Sequence, residues 1–133
     1  MSDLYPTDAV QRSLPGEIAA PYSRCLSTEI RSVEALRGEV DRYLEALRAK
    51  GKTDAFLDLD TAEKVGAGCR RLIDLLEASG SEAAHHAVQA AVTYFELEDD
   101  AEADGSVIGF DDDLQVVEAT FKALGWSDGG VLS

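Results

Sequence analysis

The sequence predicts an all-α fold, a four-helix bundle-like domain preceded by an irregular N-terminal arm. Apolar residues recur at steps of three and four along four separate stretches, the spacing of one face of an α-helix. No stretch alternates apolar and polar residues as a half-buried strand does. The breaks fall at glycines, serines and aspartates, residues that stop or cap helices. A chain of 133 residues can bury one real core without staples. The expected organisation is an arm over 1–27 packed on the bundle, a helical domain over 28–126 and a short tail over 127–133.

The arm holds all three prolines, Pro6, Pro15 and Pro21. Thr7 or Asp8 can cap a short helix over 9–14, which Pro15-Gly16 would end. Tyr5, Leu14, Ile18, Tyr22 and Leu26 are spaced apolar residues on a polar background, the pattern of a segment laid across helices.

The first long helix is expected over 28–50, capped by Ser27 or Thr28 and followed by Gly51. Val33, Leu36, Val40, Tyr43 and Leu47 form its seam, and Ile30 and Leu44 widen the seam into a core-facing stripe. Glu34, Glu39, Asp41 and Glu45 interleave with Arg31, Arg37, Arg42 and Arg48 on the other side. The 3-4 spacing of the seam makes its Tyr43/Leu47 end a candidate homodimer contact. Ala55-Phe56-Leu57-Asp58-Leu59 reads as an apolar link that plugs the core. A second helix starts near Asp60 or Thr61, with Val65, Cys69, Leu72, Ile73 and Leu76 on its stripe. Gly66 and Gly68 inside it each cost about 1 kcal/mol relative to alanine. They lie two apart and cannot both face one neighbour.

Ser79-Gly80-Ser81 is a turn and cap, and the third helix runs over 82–97. Its stripe is Ala84, Val88, Ala91 and Phe95, flanked by Ala87, Val92 and Tyr94, and so many alanines imply a close, buried helix. The last helix is capped by Asp111 or Asp112, carries Leu114, Val117, Phe121 and Leu124, and stops at Gly125. Trp126 folds back on the bundle. The expected single core collects Val33, Leu36, Val40, Leu72, Leu76, Val88, Ala91, Phe95, Val117 and Phe121.

Charge is the second informative feature. The chain has formal net charge −14, which disfavours direct binding to nucleic acid or to an anionic membrane and favours basic partners or cations. Residues 1–71 carry eleven Lys/Arg against twelve acids, whereas 72–133 carry Lys122 alone against fourteen. One half is nearly neutral and the other is an anion. Nine of the eighteen residues over 96–113 are acidic, and none is basic. Two glycines and one apolar knot, Val107-Ile108-Gly109-Phe110, interrupt them. The stretch reads as an acidic loop between two helices. Like charges at this density repel unless a cation, a basic partner or water screens them.

Two chemistries fit that loop. In a twelve-residue EF-hand frame starting at Asp100, positions 3, 5 and 12 are Glu102, Asp104 and Asp111, Gly105 makes the turn and Val107 pins the loop. Glu102 stands where Asp or Asn is usual, Asp111 is short for a bidentate ligand, and the loop has no pair. Such a site would hold Ca²⁺ or Mg²⁺ weakly, with Kd on the order of 10⁻⁴ to 10⁻³ M. A metal-dependent hydrolase would draw on the same carboxylates and ranks lower. In the other reading, Glu98, Asp99, Asp100, Glu102, Asp104, Asp112 and Asp113 meet a basic partner protein, with Val107, Ile108 and Phe110 as an uncharged anchor.

Residues 84–124 also carry a motif pattern. Tyr94-Phe95 precede Asp100-Ala-Glu-Ala-Asp104, and Gly109-Phe110 precede Asp112-Asp113 and the helix opening Leu114-Gln-Val-Val. This resembles the YkvA-like family, a small bacterial helical domain of unknown function. The chain departs from the pattern by lacking both prolines usual around the aspartate pair and by its polar Glu102. The resemblance implies an α-helical fold and no established activity. It would make Asp100, Asp104, Asp112 and Asp113 structural caps or a shared acidic site.

Other constellations are thinner. Glu82-Ala-Ala-His85 has the Glu-x-x-His spacing of helical di-iron sites but no second pair, and His85-His86 reads as surface and cap. Cys25 and Cys69 are too few for a disulfide framework. Cys69 on the second helix's stripe reads as a buried free thiol. No phosphate loop, nucleophile elbow or Cys/His cluster is present. The start has no basic-then-apolar signal segment and no apolar run approaches ~18 residues, so a cytoplasmic location is expected. The resulting expectation is a non-enzymatic helical protein, an adaptor, an antitoxin or immunity-like inhibitor, or a nucleic-acid mimic, that binds a basic protein through its acidic C-terminal half. The alternative is a divalent-cation-binding helical domain using the loop over 100–111.

Overall fold

The computed structural model describes residues 6–26, 29–53, 57–96 and 110–132. The fold is all-α. Six helices follow one another: α1 (Pro6–Ser13), α2 (Gly16–Ser23), α3 (Val33–Gly51), α4 (Leu59–Ser79), α5 (Glu82–Glu96) and α6 (Asp111–Leu124). Among the described residues there is no strand.

The segment read as an irregular arm holds two short helices: α1, which covers most of the helix expected over 9–14 but starts earlier, and α2, which was not expected. Pro6 opens α1, where its missing N–H costs nothing. The Pro15 carbonyl accepts the Ile18 and Ala19 N–H groups, so this proline starts α2 as well as ending α1. Pro21 lies inside α2, so packing rather than propensity holds that helix. Val10, Leu14, Ile18 and Tyr22 step by four and are all buried.

α3 starts five residues later than the sequence suggested. Ser32 is its N-cap, with its hydroxyl accepting the Ala35 N–H, and buried hydrogen bonds hold the chain before it away from helix. The Gln89 side chain of α5 accepts the Arg31 N–H at 2.7 Å and donates to the Glu29 carbonyl at 2.7 Å. His85 donates from Nε2 to the Arg31 carbonyl. Residues 29–31 therefore satisfy α5's polar groups instead of extending α3. Ile30, expected on the core face, is consequently exposed.

α3 and α4 pack antiparallel. Arg48 pairs with Glu63, Arg70 with Asp41, and Arg37 with both Asp74 and Glu77. As one number falls the other rises, which fixes the direction. Asp58 caps α4 by accepting the N–H and hydroxyl of Thr61. Leu57, from the expected core plug, is buried. Ala55 and Phe56 lie outside the described residues.

The two glycines of α4 face different neighbours. A Cβ at Gly66 would lie 2.5 Å from Leu44 Cδ1 of α3, and one at Gly68 would lie 2.8 Å from Val117 Cγ1 of α6 and 3.0 Å from Leu132 Cδ2 of the tail. Missing side chains let α4 fit between α3 on one side and α6 on the other. α5 is the innermost helix. Ala84, Ala87, Val88, Gln89, Ala90, Ala91, Val92, Tyr94 and Phe95 are buried, and α5 touches every other helix. Of the ten expected core residues nine are buried, and Val33 is half-buried against them.

The Tyr43/Leu47 seam is used within the chain. Leu47 is buried, and the Tyr43 ring meets Phe95 edge-on with centroids 4.9 Å apart. Gly125 ends α6 at φ 70°, the left-handed cap expected there, and the Trp126 N–H returns to the Phe121 carbonyl at 3.0 Å. The tail docks through Leu132, which is buried.

These contacts give a matched pair of substitutions. Gly66→Ala should lower stability in urea unfolding by about 1–3 kcal/mol from overpacking on Leu44, less up to about 1 kcal/mol of helix propensity regained. Gly38→Ala, where the added Cβ meets only the flexible end of Arg42, should raise stability by up to about 1 kcal/mol. Equal signs for the two would contradict the close α3–α4 crossing.

Candidate functional site

The site of interest is where α5 ends and α6 begins, on either side of the acidic stretch. Phe95 is the last core residue of α5 and Phe110 directly precedes α6. Both are fully buried, and their rings meet edge-on with centroids 6.0 Å apart. The two ends that flank the acidic stretch thus meet in the core. The Phe110 backbone, not Asp111 or Asp112, occupies the N-cap of α6, and no side chain caps the helix. The expected Asx cap is therefore absent. Asp111, Asp112 and Asp113 instead fill the first turn, where the positive end of the helix dipole favours carboxylates.

The expected partner-binding residues divide into three groups. Glu98, Asp99, Asp100, Glu102, Asp104, Val107 and Ile108 lie outside the described residues, as does the rest of the EF-hand frame before Asp111. Asp111 and Asp112 are exposed. Phe110 and Asp113 are buried, Asp113 with 1% of its surface exposed. Neither can touch a partner's surface. Phe110 is drawn inward because the apolar knot ends against Phe95. Asp113 faces inward because it lies one helical turn from Val116 and Val117, which are both buried. Its charge acts on the interior and raises the thiol pKa values of Cys25 and Cys69. Burial is the larger cause at both, pushing Cys25 to about 11 and Cys69 further up. Both thiols are free and buried, so neither is poised as a nucleophile.

A pair of carboxyls just before the acidic stretch was not singled out from the sequence. Glu96 is the last residue of α5, and its side chain hydrogen-bonds with that of Glu39 on α3. Glu39, Arg42, Tyr43 and Glu96 line a cavity of about 400 Å³. Glu39 Oε1 lies 3.3 Å from Arg31 Nη1, while Arg31 Nη2 donates to the Thr93 hydroxyl of α5. Burial, then the Glu39 hydrogen bond and charge, push Glu96 up to about 7, against the lowering effect of Arg31 and Arg42. The signal was hidden because Glu39 sits among charged residues on the polar side of a helix. Its position three residues after Leu36 puts it at the edge of the buried stripe.

Glu82 is exposed and His85 is spent on the Arg31 carbonyl, so the Glu-x-x-His spacing assembles no metal pair. Among the described residues no group of three His, Cys, Asp or Glu could hold a metal ion, and no described helix is long and apolar enough to cross a membrane. No family model, curated protein or solved structure matches the chain.

Removal of the Phe110 ring tests its placement. Phe110→Ala should destabilise the protein by about 3–5 kcal/mol in chemical unfolding, the range for deleting a buried aromatic ring. A loss under about 1 kcal/mol is the result expected of a surface anchor.

Proposed function

We propose that this chain is a non-enzymatic helical protein that binds a basic partner protein. Its contact surface is the acidic segment between α5 and α6 together with Asp111 and Asp112, exposed at the start of α6. The single observation that supports this reading is how the arginines are used. Arg37, Arg48 and Arg70 are paired across the α3–α4 interface, and Arg31 contacts Glu39. These four arginines thus neutralise Glu39, Asp41, Glu63, Asp74 and Glu77 of the α3–α4 pair. The acids from Glu82 onward have Lys122 as the only basic residue in their own stretch of sequence. Their mutual repulsion is offset when basic groups of a partner arrive, and complementary charge speeds association.

In this reading Glu98, Asp99, Asp100, Glu102, Asp104, Asp111 and Asp112 supply charge, and Val107 and Ile108 supply apolar contact. Adaptor, antitoxin or immunity-like inhibitor and nucleic-acid mimic share this chemistry. The resemblance of residues 84–124 to the YkvA-like family would make α5, the acidic segment and α6 its helix–loop–helix core.

Capture from native cytosol should separate the acidic segment from the rest of the surface. At ~0.1 M salt the wild type should retain basic proteins that are released at ~1 M, as the screening length shrinks from about 10 Å to about 3 Å. Asp99→Lys, Asp100→Lys and Glu102→Lys together should abolish that capture. Glu34→Lys with Glu45→Lys, both exposed on α3, should leave it intact. If the α3 variant loses more than the segment variant, the acidic half is only a solubilising surface.

A further inference from the structure

The geometry points to the Glu39–Glu96 carboxyl pair as a proton-operated latch that fastens the last turn of α5 to α3 and releases it as pH rises. Two carboxyl groups can hydrogen-bond to each other only if one of them carries a proton, because two carboxylates offer acceptors and no donor. The pair is also partly withdrawn from solvent. Glu39 Oε1 and Glu96 Oε2 are both buried, and neither accepts a well-aligned hydrogen bond among the described residues, although Arg31 Nη1 stands 3.3 Å from Glu39 Oε1. Loss of the proton therefore leaves two like charges side by side, each with one oxygen turned away from solvent, an arrangement that opposes double ionisation.

The surrounding groups do not remove that requirement. From α3 the pair faces Arg42 and Tyr43, and from the stretch before α3 it faces Arg31. Arg31 divides its guanidinium between Glu39 and the Thr93 hydroxyl. α4 contributes Cys69, whose thiol is raised by the charges of both Glu96 and, from α6, Asp113. The two arginines lower the Glu96 pKa, but burial and Glu39 outweigh them and hold it at about 7.

The sign follows from proton binding. The unfolded chain releases the Glu96 proton near ~4.3, whereas the folded chain keeps it to about 7. The contribution to stability is complete below the unfolded value and falls as pH climbs through the folded one. It is lost at the residue that leads directly into the acidic stretch. No partner is required, so the latch stands or falls separately from partner binding.

Backbone amide hydrogen exchange, corrected for the intrinsic pH dependence, tests the latch on the whole protein. Between pH ~5.5 and pH ~8.5, protection at Tyr94, Phe95 and Glu96 should fall by about tenfold or more, while that of Leu72 in α4 stays level, since a latch opens locally. Glu39→Gln should flatten the response, because an amide donates to a carboxylate without titrating. In the wild type the Glu96 carboxyl carbon resonance should titrate with a midpoint near 7. A midpoint near ~4.3, the value of an unperturbed glutamate, overturns the proposal. So does protection that is independent of pH, or one that declines equally at Leu72.

Discussion

Everything in this fold leans on α5. A helix that touches five others must be thin, and its alanines at 84, 87, 90 and 91 make it so. Their short side chains let neighbours approach until backbones nearly meet, which favours dispersion contacts over long side-chain reach. Such burial leaves little room for polar groups, so the one glutamine on α5 has fixed partners. Gln89 is satisfied by backbone from residues 29 and 31. That requirement keeps the chain before α3 out of the helix. One buried amide thus decides where the next helix can begin.

The charges divide along a similar logic. Exposed ion pairs between α3 and α4 contribute only about 0–1 kcal/mol each, too little to explain why the two helices adhere. The Leu44–Gly66 contact and the buried stripes do that. What the pairs accomplish is neutralisation of the α3–α4 surface. The acids from Glu82 onward, with Lys122 alone among them, make a field that bears on solubility and association rather than on fold.

Periodicity made four helices and nearly all of the core legible. Val65, Cys69, Leu72 and Leu76 lie on the α4 stripe where their spacing put them, and Gly125 caps α6 as its position implied. Of the N-terminal pair only α1 is legible, since Pro15 and Pro21 point to breaks where α2 forms. Pro6 and Pro15 instead begin helices, where a missing N–H is harmless. The roles of Gly66 and Gly68 needed the third dimension, since two residues on opposite flanks can each relieve a different neighbour. At the candidate site, acidity was legible but direction was not. Phe110 and Asp113 look like surface groups in a run of aspartates, and only the packing of Phe110 on Phe95 and the phase of α6 turn them inward. The Glu39–Glu96 pair joins residues 57 apart in sequence, so no local pattern could announce it.

The ring contact between Phe95 and Phe110 separates the length of the acidic segment from the energetics of folding. A chain that departs and returns at one point closes a loop whether it is short or long. Doubling such a loop costs only about 0.6 kcal/mol of closure entropy. The closure term alone therefore sets little limit on the number of residues between those two rings. The segment with the densest charge in the protein is thus bounded by two rings that hold its ends together.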